Sequence, residues 1–178
     1  PELRGYREWL PATAYEAVGS LGGSFVSPNI EDYYLTPWDL GYGRLIKFDH
    51  DFVGRAALER MKDQPHRKKV TLVWDPEEAA RVVGSLFTQP KGQRYKYFDL
   101  PLAQYATWMY DAVLNDAGEV VGFSMWTGFS SNEERVLSLA TIKEEYAKEG
   151  TRLRIVWGEP NGGSRKPSVE RHVQTEVW

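Results

Sequence analysis

The chain of 178 residues contains no cysteine, which removes disulfides and thiol catalysis and is compatible with a reducing compartment, so the cytoplasm is the expected location. Histidine is scarce. His50, His66 and His172 lie far apart, no two share the helical or finger spacing of a metal site, and no metal is expected. No stretch approaches the roughly 20 apolar residues of a membrane helix, and the N-terminus lacks a basic-then-apolar signal pattern. Neither sign of charge dominates: 22 basic and 25 acidic residues leave a formal net charge of -3, and the longest basic run is Arg67, Lys68, Lys69. Nucleic acid is therefore a poor default partner. Phosphate-cradle and hydrolase motifs are missing too. "GEPNGG" lacks the Walker lysine, no Gly-x-Gly-x-x-Gly opens a helix after a strand, and no serine sits in a Gly-x-Ser-x-Gly elbow. The adjacent carboxylates Glu31 and Asp32, and Glu133 and Glu134, read as solvated faces or caps.

Aromatic residues are what the chain has in quantity, 13% including seven Trp and ten Tyr, within an apolar share of 42% that allows a real core. The length suits one ordinary domain, or a small domain attached to part of another. Residues 1 to 18 read as a helix and a second short turn, stopped by Pro11 and then by Gly19, Gly22 and Gly23. The start in mid-helix suggests packing partners upstream of residue 1. Thr36 and Pro37 open a short helical turn in "TPWDLGYG". Asp51 is the expected cap of a helix with Ala56, Ala57, Leu58 and Met61 on its apolar face, stopped by Pro65. From Arg67 the period changes. "RKKVTLVWD", "YATWMYDAVLND", "VVGFSMWTGFS", "ERVLSLATI", "TRLRIVW" and "SVERHVQTEVW" read as six strands, and only "PEEAARVVGSLF" reads as a helix. The expected class is α+β. A helical and irregular segment, residues 1–65, precedes a small antiparallel β-barrel of jelly-roll type, residues 66–178, with "KDQPHR" at the boundary.

The ordering of "SPNIEDYYLTPWDLGYG", "KFDHDFVGRAAL", "RKKVTLVW", "VGFSMWTGFSSNEERVLSLATI" and "VWGEPNGG" resembles the C-terminal part of the glycine cleavage T-protein superfamily. It is most similar to the tetrahydrofolate-dependent aromatic O-demethylases that act on vanillate, syringate or methylgallate. The likeness covers essentially the whole chain, although the generic superfamily signature is only the portion from Asp51 to Leu58. It implies a three-domain enzyme around a central folate site, of which this chain holds the tail of the central region and the C-terminal barrel. Folate and a small aromatic substrate would be bound largely through the missing N-terminal portion. The family's catalytic tyrosine and pterin-binding acid lie upstream, so no catalytic residue is assigned and the chain alone is expected to be inactive. Association through the exposed helical half is also expected. An aminomethyltransferase, a sarcosine-type folate demethylase and a non-catalytic barrel module stay open as alternatives.

Methyl transfer from an aryl ether to a pterin nitrogen needs both reactants aligned in a dry cleft. Rings supply flat walls, and arginine grips carboxylates. Within this resemblance Tyr33, Tyr34, Trp38 and Tyr42 are candidate wall residues for tetrahydrofolate, and Arg44 and Arg55 candidate anion contacts. Thr127, Ser130 and Asn132, in "TGFSSNEER", are further candidates. Ordinary roles compete with each: Trp38 and Tyr42 packing the junction of the two halves, Arg55 pairing with Asp49 or Asp51, and a plain loop at 127–135.

Overall fold

In a computed structural model of the chain, residues 21–97, 108–163 and 170–178 are described. The expected helix at residues 1 to 18 lies outside them. The strands are β1 (Leu21–Gly22), β2 (Lys68–Val73), β3 (Trp108–Met109), β4 (Asp111–Leu114), β5 (Val120–Ser130), β6 (Arg135–Ile142), β7 (Arg154–Trp157) and β8 (Thr175–Val177). The helices are α1 (Arg55–Met61) and α2 (Pro76–Thr88). Among the described residues no helix is long and apolar enough to cross a membrane.

Six strands form one antiparallel sheet in the order β2-β6-β5-β4-β7-β8, and β1 and β3 pair in parallel beside it. The β-branched and aromatic runs make these strands, and their alternation sorts two faces. The inner face carries Val113, Ala140, Ile142, Ile155, Trp157 and Val177, all buried. Trp74 and Trp157 meet edge to face at 5.4 Å and 78° in this core, a geometry worth about 0.5–1.5 kcal/mol beyond area burial. A bulge between Ser124 and Trp126 shifts the register of β5 against β6, so that Phe123 and Thr127, four positions apart, lie on opposite faces.

The expected barrel is corrected to an open sheet. The edge strands β2 and β8 meet through a hydrogen bond from the Asp75 N–H to the Trp178 carbonyl, 2.7 Å. The reason is geometric: β8 has three residues and lies beyond the end of β2, beside α2. Arg81 of α2 donates to Thr175 Oγ1 and to the Glu176 carbonyl, both at 2.9 Å, which occupies that edge. Helix α2 follows its sequence signals, with Asp75 accepting from the N–H groups of Glu77 and Glu78, and Pro76 in the first turn.

Helix α1 starts later than its sequence suggests. Gly54, at φ +94°, is its N-cap in place of Asp51, because the chain reverses through a left-handed residue that only glycine adopts cheaply. The "TPWDLGYG" turn forms as a turn over residues 37–41 followed by a 3-10 turn at Gly43–Leu45. The strand expected in "SVERHVQTEVW" shrinks to Thr175–Val177, with an isolated bridge between Tyr95 and Val173.

Candidate functional site

Residues 23–67 cross the outer face of the sheet, and local caps set their path. Asn29 accepts from the Glu31 N–H at 3.2 Å and opens the 3-10 turn Ile30–Tyr33. Thr36 and Asp39 cap each other: the Thr36 N–H donates to Asp39 Oδ2 at 2.9 Å, and the Asp39 N–H to Thr36 Oγ1 at 3.2 Å. The other Asp39 oxygen accepts the Arg67 N–H at 3.1 Å, which ties the crossing segment to the start of β2.

This path builds an aromatic cluster on the outer face. Tyr33 packs edge-on against Phe25 at 5.1 Å and Tyr110 at 5.3 Å, and Phe123 lies 5.1 Å from Tyr110. The Arg67 guanidinium sits 4.8 Å above the Phe123 ring and donates to the Tyr34 carbonyl. Burial pushes the phenols of Tyr33 and Tyr110 above their ordinary value, so both stay protonated donors at neutral pH. Tyr33 uses its hydroxyl to accept from the Ser27 N–H and to donate to the Phe25 carbonyl.

The nine sequence candidates separate into distinct places. Tyr33 is a buried member of the cluster, whereas Tyr34 and Tyr42 are 43% and 53% exposed. Trp38 stacks on His66 at 4.5 Å and 8°, at the junction of the crossing segment with β2. Arg44 is exposed in the 3-10 turn, and no hydrogen bond or ion pair engages it among the described residues. Arg55 pairs with Glu59 at 3.0 Å and donates to the His50 carbonyl at 3.0 Å, rather than pairing with Asp49 or Asp51. Thr127 points to the opposite face, fully buried and 2.8 Å from the Ser138 hydroxyl. Ser130 accepts weakly from the Glu133 N–H, and Asn132 is exposed in the turn after β5. Tyr33, Tyr34, Trp38, Tyr42 and Arg44 therefore share one continuous segment. Thr127 is separated from them by the thickness of the sheet.

Gly43 shows how tightly that segment is packed. A Cβ there would lie 2.4 Å from Trp38 Cδ1. Gly43→Ala is expected to push Trp38 off His66 and to cost about 1–3 kcal/mol, as overpacking does. Urea unfolding followed by Trp fluorescence measures it, and an unchanged midpoint would refute the contact.

A second constellation was not foreseen. Lys96, Asp111, Glu159 and His172 are all buried, Lys96 and Asp111 completely. Glu159 Oε1 accepts from Lys96 Nζ at 2.9 Å and from the Gly23 N–H at 2.9 Å. Lys96 Nζ also lies 5.1 Å from the centre of the Trp157 ring, and Trp157 Nε1 donates to the Lys96 carbonyl. Asp111 Oδ1 accepts the Ser24 N–H at 3.2 Å, while the Ser24 hydroxyl donates to the Val156 carbonyl and accepts the Ala112 N–H. Two buried carboxylates thus fasten Gly23 and Ser24 across β4 and β7. Gly23 is obligatory, with φ +91° and the Tyr110 carbonyl oxygen 2.2 Å from where a Cβ would stand.

His172 completes the group. Its Nε2 lies 2.9 Å from the Glu159 backbone nitrogen and 3.2 Å from Glu159 Oε2, and its Nδ1 lies 2.8 Å from the Glu170 carbonyl. Burial pushes the Glu159 carboxyl up, but the Lys96 ammonium, the Gly23 N–H and His172 together outweigh it, and the net shift is downward. Asp111 goes the other way: burial raises it to about 6 in spite of Lys96. No sequence signal links these four residues, because Lys96 and Glu159 are 63 positions apart. Among the described residues no cluster of histidine and carboxylates could hold a metal ion.

No protein-family model matches the chain. Syringate O-demethylase of Sphingobium sp. strain SYK-6 is 51% identical over 172 residues, 97% of this chain. The chain is homologous to part of that O-demethylase. Its match spans 37% of the relative's length. Sesamin methylene transferase of Sinomonas sp. strain No.22 is 36% identical over 143 residues, 76% of this chain and 31% of the relative. The resemblance to the aromatic O-demethylases read from the sequence is borne out by both.

Proposed function

We propose that the chain is the C-terminal part of a tetrahydrofolate-dependent transferase that removes methyl groups from methoxy-aromatic acids. The observation that carries this reading is the 51% identity to syringate O-demethylase across nearly the whole chain. The second relative is named for transfer of a methylene group, so both names describe removal of a one-carbon unit. In this reading residues 1–65 belong to the central folate-binding region and residues 66–178 to a C-terminal unit. Tetrahydrofolate is the one-carbon acceptor.

The crossing segment is the part of this chain that faces the cofactor. Tyr42 offers an exposed ring for stacking, and Arg44, unengaged among the described residues, offers a fork for a carboxylate of the folate tail. Arg55, Thr127 and Trp38 hold structural positions, and their part in folate binding is indirect.

Calorimetric titration of tetrahydrofolate into the full-length protein tests the reading. Micromolar binding is expected, weakened about 10- to 100-fold by Arg44→Ala, the loss of a charge-assisted hydrogen bond of roughly 1.5–3 kcal/mol. Because Arg44 is exposed, the same change should leave the unfolding midpoint unmoved. Absence of tetrahydrofolate binding and of methyl transfer from syringate in the full-length protein would overturn the assignment.

A further inference from the structure

Residues 21–25 wedge into a fork of the sheet, between β3 and β7. On the β3 side they pair in parallel, Leu21 with Trp108 and Gly22 with Met109. The Tyr110 N–H donates to the Gly22 carbonyl, and the Tyr110 carbonyl accepts from the Phe25 N–H, both at 2.9 Å. In a regular parallel ladder a residue that donates to one carbonyl accepts from the N–H two residues further along, which here is Ser24. One extra residue is therefore looped out at Gly23, and its φ of +91° permits the loop. The N–H groups of Gly23 and Ser24 are the two that the ladder drops.

Two buried acids take those two amides. Glu159 Oε1 accepts from Gly23 and Asp111 Oδ1 from Ser24, while the Ser24 hydroxyl bridges the Val156 carbonyl and the Ala112 N–H. Side chains thus do at this seat what a backbone ladder does elsewhere. The two acids are unequally supplied. Glu159 has the Lys96 ammonium at 2.9 Å and His172 Nε2 at 3.2 Å, whereas Asp111 is completely buried and its Oδ2 has no hydrogen bond. Around Asp111 stand Lys96, Glu159 and the N–H groups of Ser24 and Gly158, with Ser124 opposite it on β5. A buried carboxylate short of partners is costly in its ionised form, and opening the seat hydrates it.

What the seat holds is the crossing segment. Phe25 packs on Tyr33 and Phe123, and its carbonyl accepts from the Tyr33 hydroxyl. The Tyr34 carbonyl and Asp39 are tied to Arg67, and Asp39 caps the turn that leads to Tyr42 and Arg44. Among the described residues no backbone hydrogen bond joins 26–66 to the sheet. We propose that the seat opens separately from the sheet, and that Asp111 and Glu159, by closing it on Gly23 and Ser24, position the crossing segment with Tyr42 and Arg44. The positioning role rests on the function proposed above; the latch itself does not.

Hydrogen exchange in the full-length protein, corrected for intrinsic rates, tests the latch. Residues 21–28 should exchange about tenfold faster or more than residues 136–142 of β6, because the seat opens while the sheet stays folded. Burial raises Asp111 from 3.8 to about 6, so the closed seat is fully favoured below about pH 4 and loses that advantage as pH rises through about 6. Glu159, held below its ordinary value, stays ionised from pH 5 upward and drops out. Protection of residues 21–28 should accordingly fall about tenfold from pH 5 to pH 7. Asp111→Asn keeps an acceptor for the Ser24 N–H and should abolish that fall, whereas Ser24→Ala should raise opening about tenfold at every pH. Tetrahydrofolate at about a hundred times its Kd should slow the opening about a hundredfold, since it binds the closed form. Equal exchange of the seat and β6, or a pH dependence that survives Asp111→Asn, would overturn the latch. Tetrahydrofolate that binds and leaves exchange of residues 21–28 unchanged would overturn the positioning role. Failure of tetrahydrofolate to bind would overturn the proposed function and the positioning role with it, while the exchange results decide the latch.

Discussion

Lys96→Met is expected to destabilise the protein by about 3–5 kcal/mol at pH 7, a large part of the 5–15 kcal/mol that a domain has. The methionine keeps most of the methylene stem beside Trp157, so packing changes little and charge is the variable. What remains is a Glu159 carboxylate 2% exposed, with the Gly23 N–H on Oε1 and His172 Nε2 3.2 Å from Oε2 but no ammonium beside it. In the parent the Glu159 carboxyl lies below its ordinary value. Its contribution is therefore present above the unfolded carboxylate value and lost as pH falls through the folded one. Without the ammonium, burial is no longer outweighed and the carboxyl moves up. The penalty of Lys96→Met should accordingly shrink toward pH 4, where Glu159 takes up a proton. Lys96→Met combined with Glu159→Leu should recover much of the loss, since the cost is that of an unpaired buried charge. Urea unfolding at pH 4 and pH 7 reads all three; a loss under about 1 kcal/mol that does not vary with pH would mean the pair is not buried as described.

Asp111→Asn should do the opposite and stabilise the protein, by about 3 kcal/mol at pH 8. Asp111 is raised from its ordinary 3.8 to about 6 by burial, close to Lys96 but also to Glu159. The folded protein binds that proton more tightly than the unfolded chain does. The favourable contribution is complete below about pH 4 and disappears as pH rises through about 6, a span of roughly two pKa units at 1.36 kcal/mol each. Asparagine keeps an oxygen for the Ser24 N–H and never ionises, so its advantage should be absent at pH 4 and full by pH 8. Thermal unfolding of parent and variant across that range decides it. A variant less stable than the parent at pH 8 would show that the Asp111 charge is an asset to the cluster.

These two residues also mark where reading the chain stops. Helix α2 was legible because Asp75, Pro76 and the apolar spacing act within one turn. The strands from Lys68 to Trp157 were legible for a similar reason, since β-branched alternation is local. The crossing segment stood out by composition, and its rings do cluster, although which ring is buried follows from Phe25, Tyr110 and Phe123, which belong to other elements. The Gly54 cap was missed because a glycine in left-handed conformation and a polar cap such as Asp51 both end an irregular stretch.

The sequence by itself determined the sheet strands between Lys68 and Trp157, the long helix, the aromatic segment and the kinship with the O-demethylases, all carried by local pattern or by direct residue identity. Only the tertiary structure decided that Thr127 faces the core, that the sheet stays open between β2 and β8, and that Lys96, Asp111, Glu159 and His172 meet. Each of those depends on which strands become neighbours, and that is set by contacts between residues tens of positions apart, where a one-residue register shift or a bulge reverses the face on which a side chain lands.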